Sequence, residues 1–131
     1  MRFRASAGAV GAIVALALAV GTSACSGGSN REGNNVVTGG SPSAGETLIV
    51  KYGCGSCHTI PGIRDADALV GPPLIHWSRR SFIAGHLANT PDNLIRWIVN
   101  PQEVDPGNDM PVLGVSQDEA RSIAAYLMGI K

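Results

Sequence analysis

The sequence predicts an all-α domain over residues 43–131, with three or more helices separated by long loops. Three observations lead there. Apolar residues recur at helical spacing in three places, two of them behind capping residues. No segment alternates convincingly as a strand, and no internal repeat is present. The connections are long enough to need an organising centre.

The first helix rests on Gly45, Leu48, Ile49 and Tyr52, which share one face, and it ends around Gly53. A Gly- and Pro-rich passage follows, from Gly62 to Gly71-Pro72-Pro73. Thr90 caps the second helix, with Pro91 at its first position and Leu94, Ile95, Trp97 and Ile98 behind. Asn100-Pro101 is expected to stop it. Ser116 and Glu119 have capping-box spacing for the third helix, which carries Ile123, Tyr126 and Leu127.

Composition sets the core a problem. The chain has 131 residues, 44% of them apolar, yet only two each of Phe, Tyr and Trp. An apolar group other than the polypeptide would complete so thin a core. Ten basic and ten acidic residues cancel, which argues against a nucleic-acid binder relying on phosphate contacts. Three cysteines are too few for a disulfide scaffold.

The amino terminus reads as an export segment. Met1-Arg2-Phe3-Arg4 is a basic head, Ala5 to Val20 an apolar run, and Gly21-Thr22-Ser23-Ala24 a small-residue end. Together they describe a signal peptide over residues 1–24, with an uncleaved anchor as the alternative. Thr22-Ser23-Ala24-Cys25 resembles a bacterial lipobox, although Thr22 stands where that motif prefers Leu. The resemblance implies lipidation of Cys25; the alternative is a stray thiol. The several acyl chains of a lipoprotein would hold the membrane where one would not. Residues 25–42 are dominated by Gly, Ser and Asn, a flexible linker with a span of roughly 20–25 Å. The expected location is the periplasmic side of the bacterial inner membrane.

Cys54-Gly55-Ser56-Cys57-His58 supplies the organising centre. C-x-x-C-H is the attachment motif of c-type haem. On a helical turn both sulfurs reach the two vinyl groups of one porphyrin, and His58 follows as the proximal iron ligand. The competing readings are weaker. A thioredoxin-like pair needs a βαβ setting. A zinc site would have to recruit His76 or His86 at poor spacing. A Cys54–Cys57 disulfide closes too small a loop to stabilise much. One covalently attached haem c also answers the core problem.

With these landmarks the chain resembles the class I cytochromes c over nearly all of residues 43–131. The likeness rests on Cys54-x-x-Cys57-His58, Gly71-Pro72-Pro73-Leu74, Leu94-Ile95-Arg96-Trp97-Ile98 with Asn100-Pro101, Pro106-Gly107-Asn108-Asp109-Met110-Pro111 and Ile123-Ala124-Ala125-Tyr126-Leu127. Asn89 to Met110 is similar to the cytochrome c domains attached to bacterial haem–copper oxidases, including those fused to subunit II. The chain carries no copper-binding oxidase domain, so only the haem module compares.

The resemblance implies a cytochrome c fold around one haem, with Met110 as distal ligand. The prolines flanking Met110 suit a loop that brings a thioether to the iron, whereas Met128 suits packing. A bis-histidine site using His76 or His86 is the rival. The resemblance also assigns the Pro72 carbonyl as acceptor of the His58 ring N–H. It sets Trp97 near the methionine side and Arg80 against a haem propionate, with Arg79 as its rival. Gly45 or a neighbour and Tyr126-Leu127 are expected where the first and last helices meet.

A His/Met haem has no open position, which favours electron transfer over catalysis, and a thioether raises the potential. The expected role is a membrane-tethered carrier of single electrons between respiratory donor and acceptor complexes, the acceptor by family analogy a terminal oxidase. The alternatives are a haem-based ligand sensor, a peroxidase-like enzyme, or the haem subunit of a periplasmic dehydrogenase. Removing residues 1–24 takes away Arg2 and Arg4, leaving a net charge of about −2 before the propionates. Lysines number only two, Lys51 and Lys131, so a lysine ring cannot steer this protein to acidic partners.

Overall fold

The computed structural model describes residues 36–131. The expected signal peptide and Cys25 lie outside the described residues.

Helices form where the sequence supplies caps. Helix α1 spans Pro42–Lys51; Ser41 accepts the Ala44 N–H at 3.3 Å, and Pro42 sits at the first position. Gly53 ends the segment at φ 67°, a left-handed conformation suited to glycine. Helix α2 spans Pro91–Val99, its start closed by Thr90 accepting the Asn93 N–H at 3.4 Å. Asn100-Pro101 ends α2 as expected, but the same pair starts a new turn, helix α3 over Pro101–Val104. The Asn100 side chain accepts the Glu103 N–H at 3.2 Å and Pro101 occupies the first position, so one dipeptide is both stop and start. Helix α4 spans Gln117–Met128 behind the expected capping box of Ser116 and Glu119.

One element departs from the all-helical reading. Strands β1 (Phe82–Ile83) and β2 (Leu87–Ala88) pair antiparallel, with Phe82 opposite Ala88 and Ile83 opposite Leu87. Two residues are too few for alternation to register in sequence. The turn between them holds Ala84 and Gly85 at φ 49° and 78°.

Helices α1 and α4 cross closely. A Cβ on Gly45 would collide with the Ser122 carbonyl, so glycine is required there by space. Ile49, Leu94, Ile123 and Leu127 are buried behind the crossing. Tyr126 pins the loop before the Gly/Pro-rich passage, its hydroxyl donating to the Pro61 carbonyl at 2.7 Å. The domain also begins earlier than residue 43. Val37 is buried in the core, and Gly40 lies against the Arg121 carbonyl of α4, so the end of the predicted linker packs on the fold. No helix of the described residues is long and apolar enough to cross a membrane.

Candidate functional site

Straight after α1, residues Cys54–Ser56 form a 3₁₀ turn, closed by hydrogen bonds from the Cys57 and His58 N–H groups to the Cys54 carbonyl at 3.3 and 3.0 Å. This turn gathers two thiols and an imidazole within five residues. Burial pushes the Cys54 thiol pKa up, which favours the neutral thiol over a reactive thiolate. The two cysteines are not joined by a disulfide.

The Gly/Pro-rich passage docks on this turn by backbone hydrogen bonds. The Gly71 N–H donates to the Cys57 carbonyl at 2.7 Å, and the Leu74 N–H to the Thr59 carbonyl at 2.8 Å. Between them, His58 Nδ1 lies 2.8 Å from the Pro72 carbonyl. A carbonyl only accepts, so Nδ1 carries the proton and donates, leaving the Nε2 lone pair free for a metal. Gly71 forms the floor under the ring: a Cβ there would strike Cε1 and stand 2.7 Å from Nδ1.

These residues line a cavity of about 400 Å³, within the usual size range of ligand and cofactor sites. Cys54, Cys57, His58, Pro72, Arg80, Trp97 and Met110 all lie on its wall. Ile60, Leu74, Leu94 and Ile98 give the wall its apolar character. The predicted residues thus come together from four separate stretches of chain. His76 and His86 are not on the wall. His76 Nδ1 faces the Lys131 carbonyl at 3.0 Å, and His86 Nε2 faces Asp105 at 3.6 Å. Met128 is buried in α4 away from the cavity, and Arg79 is exposed away from it as well.

Arg80 is already engaged within the polypeptide. Its guanidinium donates to the Pro73 carbonyl and, at 3.4 Å, to that of Ile75, and it stacks 5.1 Å above the Trp77 ring. Trp77 is a cavity residue that the sequence reading missed. It is 5% exposed, and its Nε1–H is buried without an acceptor in the polypeptide. No periodic pattern points to it, because it sits in a short 3₁₀ turn, Trp77–Arg79, between loops. A single aromatic in a loop beside arginines was the available signal.

The donor set suits a haem. Two neighbouring thiols, one imidazole with Nε2 free, one thioether and an apolar slot match a covalently held iron porphyrin. The Arg80 guanidinium and the indole N–H of Trp77 suit its acidic edge. Among the described residues, no cluster of His, Cys, Asp and Glu could hold a metal ion by itself.

The cytochrome c family model matches residues 42–131, which is the whole of the folded region from α1 onward. The chain belongs to the cytochrome c family. Membership makes the protein a haem protein of the electron-transfer class, with the haem covalently bound. This cytochrome is 33% identical over 88 residues to the cytochrome c oxidase subunit 2 of Alkalihalophilus pseudofirmus, a match covering 66% of the chain and 25% of that protein. It is 32% identical over 100 residues to cytochrome c oxidase subunit 2 of Bacillus sp. strain PS3, covering 73% of the chain and 28% of the relative. The corresponding Bacillus subtilis protein is 32% identical over 93 residues, covering 66% and 26%. The cytochrome thus spans about a quarter of the length of these curated relatives. No solved structure matches the chain.

Proposed function

We propose that this cytochrome is a monohaem electron carrier, exported and tethered by a lipid on Cys25 to the periplasmic face of the bacterial inner membrane. It passes single electrons between respiratory complexes, and its acceptor is a terminal haem–copper oxidase. One observation carries the haem assignment: Cys54, Cys57, His58 and Met110 share one apolar cavity, with His58 held as the tautomer that leaves Nε2 free. In this reading Cys54 and Cys57 would hold the haem covalently, and His58 and Met110 would ligate its iron. Pro72 fixes the imidazole, Arg80 and Trp77 would offer donors to the acidic edge, and Trp97 walls the cavity. When bound, the haem supplies a one-electron iron couple. Ligation by both His58 and Met110 would leave no iron position for a substrate, which favours electron transfer over turnover. The oxidase as acceptor is supported by the relatives, each named as an oxidase subunit that includes a segment similar to this chain.

Substitution of the two mature methionines tests the ligation. Met110→Ala is expected to open the iron to carbon monoxide in the reduced protein. It should also lower the midpoint potential by on the order of 100 mV, since 59 mV is about 1.4 kcal/mol for one electron. Met128→Ala is expected to leave the haem spectrum unchanged and to cost only packing. The opposite pattern sinks the assignment of Met110. Detergent co-purification tests the oxidase partner, and mass spectrometry of the mature amino terminus tests lipidation of Cys25.

A further inference from the structure

The backbone that carries Met110 belongs to no helix or strand, yet both the N–H and the C=O of Met110 are held by side chains. Two carboxamides hold it. Asn108 Oδ1 accepts the Met110 N–H at 2.8 Å, while Asn108 Nδ2 donates to the Pro101 and Asp105 carbonyls at 3.0 and 2.6 Å. Gln102 reaches from α3 and uses its whole amide group. Its Nε2 donates to the Asn108 carbonyl at 2.8 Å and to the Met110 carbonyl at 3.0 Å. Its Oε1 accepts the Gly107 N–H at 3.0 Å. These contacts bracket Gly107, whose φ of 87° turns the chain back toward the cavity. The post from which Gln102 reaches is firm, because Pro101, its neighbour in α3, is among the most deeply buried residues of the protein.

We propose that Gln102 is a positioning residue for Met110. Its carboxamide holds the loop in the shape that presents the thioether and so sets how readily that ligand leaves. The inference rests on the reading of Met110 as an axial ligand. A distal position that opens more often binds an outside ligand more tightly, since apparent affinity scales with the fraction of open molecules. The three hydrogen bonds are partly exposed, so each contributes modestly, and together they account for about a tenfold change in that fraction.

The test uses the haem-loaded full chain and imidazole as the competing ligand for ferric iron. Gln102→Leu removes all three hydrogen bonds at similar volume. Gln102→Glu keeps the acceptor for Gly107 but turns a carboxylate toward two carbonyl oxygens. Both variants are expected to bind imidazole about tenfold more tightly than wild type. Both should also weaken the thioether-to-iron charge-transfer absorption. Met128→Ala, which lowers global stability away from the cavity, is the control and should leave imidazole affinity unchanged. Unchanged affinity in both Gln102 variants, with Met110→Ala opening the iron, overturns the role of Gln102 alone. Equal tightening in Met128→Ala also overturns it, since general loosening would then suffice. If Met110→Ala leaves the wild-type spectrum intact, the ligand reading and the positioning role fall together.

Discussion

Gly71 has no side chain because the ring of His58 occupies the space where one would stand. The neighbouring Pro72 contributes a carbonyl and no N–H, so its one backbone hydrogen-bonding group is free to accept from His58 Nδ1 at 2.8 Å. Both constraints act on one imidazole, one by shape and the other by proton placement. Gly71→Ala is therefore expected to displace the ring from the Pro72 carbonyl and to cost about 1–3 kcal/mol, as overpacking does. A urea midpoint reads the stability, and the haem absorption spectrum reads the ligand. An unshifted spectrum in a variant of wild-type stability would show that the floor is not tight. At this scale the attachment motif was legible. Cys54, Cys57 and His58 announce themselves by their spacing, whereas Pro72 and Met110 enter through the family resemblance. Trp77 and Gln102 do neither. One is a lone aromatic in a loop, and the other acts through contacts with backbone groups that any sequence possesses.

Elements are tied to one another through Glu119, which does three tasks at once. As the third residue of α4 it completes the capping box, accepting the Ser116 N–H at 3.1 Å and the Ser116 hydroxyl at 2.8 Å. It also accepts from Lys51 Nζ at 2.8 Å and from the Tyr52 hydroxyl at 2.7 Å, across the α1–α4 crossing. The Lys51 hydrogen bond is the leading cause that lowers the Glu119 pKa to about 2, followed by those from Tyr52 and Ser116. The folded pKa lies below the unfolded value of about 4.3, so its stabilising contribution is complete above that value. It is lost as pH falls from there through about 2. Melting temperature is expected to drop over that window in wild type and to vary less in Glu119→Gln. Parallel pH profiles for the two proteins would place the acid sensitivity elsewhere. The capping box itself was readable from Ser116 and Glu119, three positions apart in the chain; the link to Lys51 and Tyr52 was not, because only the helix crossing brings them near. The two-residue ribbon and α3 were missed for a related reason. Both are too short for their periods to repeat.

Across the whole molecule, one apolar core both closes the polypeptide and walls the cavity. Helices α1 and α4 pack directly on each other through Gly45, and Ile49, Leu74, Leu94, Ile98, Ile123 and Leu127 belong to the core and also line the cavity. The composition anticipates this arrangement, since two each of Phe, Tyr and Trp leave little bulk to fill the middle. The cavity of about 400 Å³ is open to solvent, so without the cofactor its apolar wall meets water instead of a packing partner. A domain of this size has a total stability of only about 5–15 kcal/mol, so losing that burial weighs heavily on the fold. The chain with Cys54 and Cys57 both replaced by Ala, freed of haem, is accordingly expected to be largely unfolded. Circular dichroism should show little helix, and heating should give no cooperative transition. Either single replacement retains one attachment point and should keep the fold with weakened haem retention. A haem-free double variant that melts cooperatively with native helix content would locate the stability in the α1–α4 crossing instead. The cavity would then be a preformed receptacle, with insertion of the cofactor following folding rather than driving it.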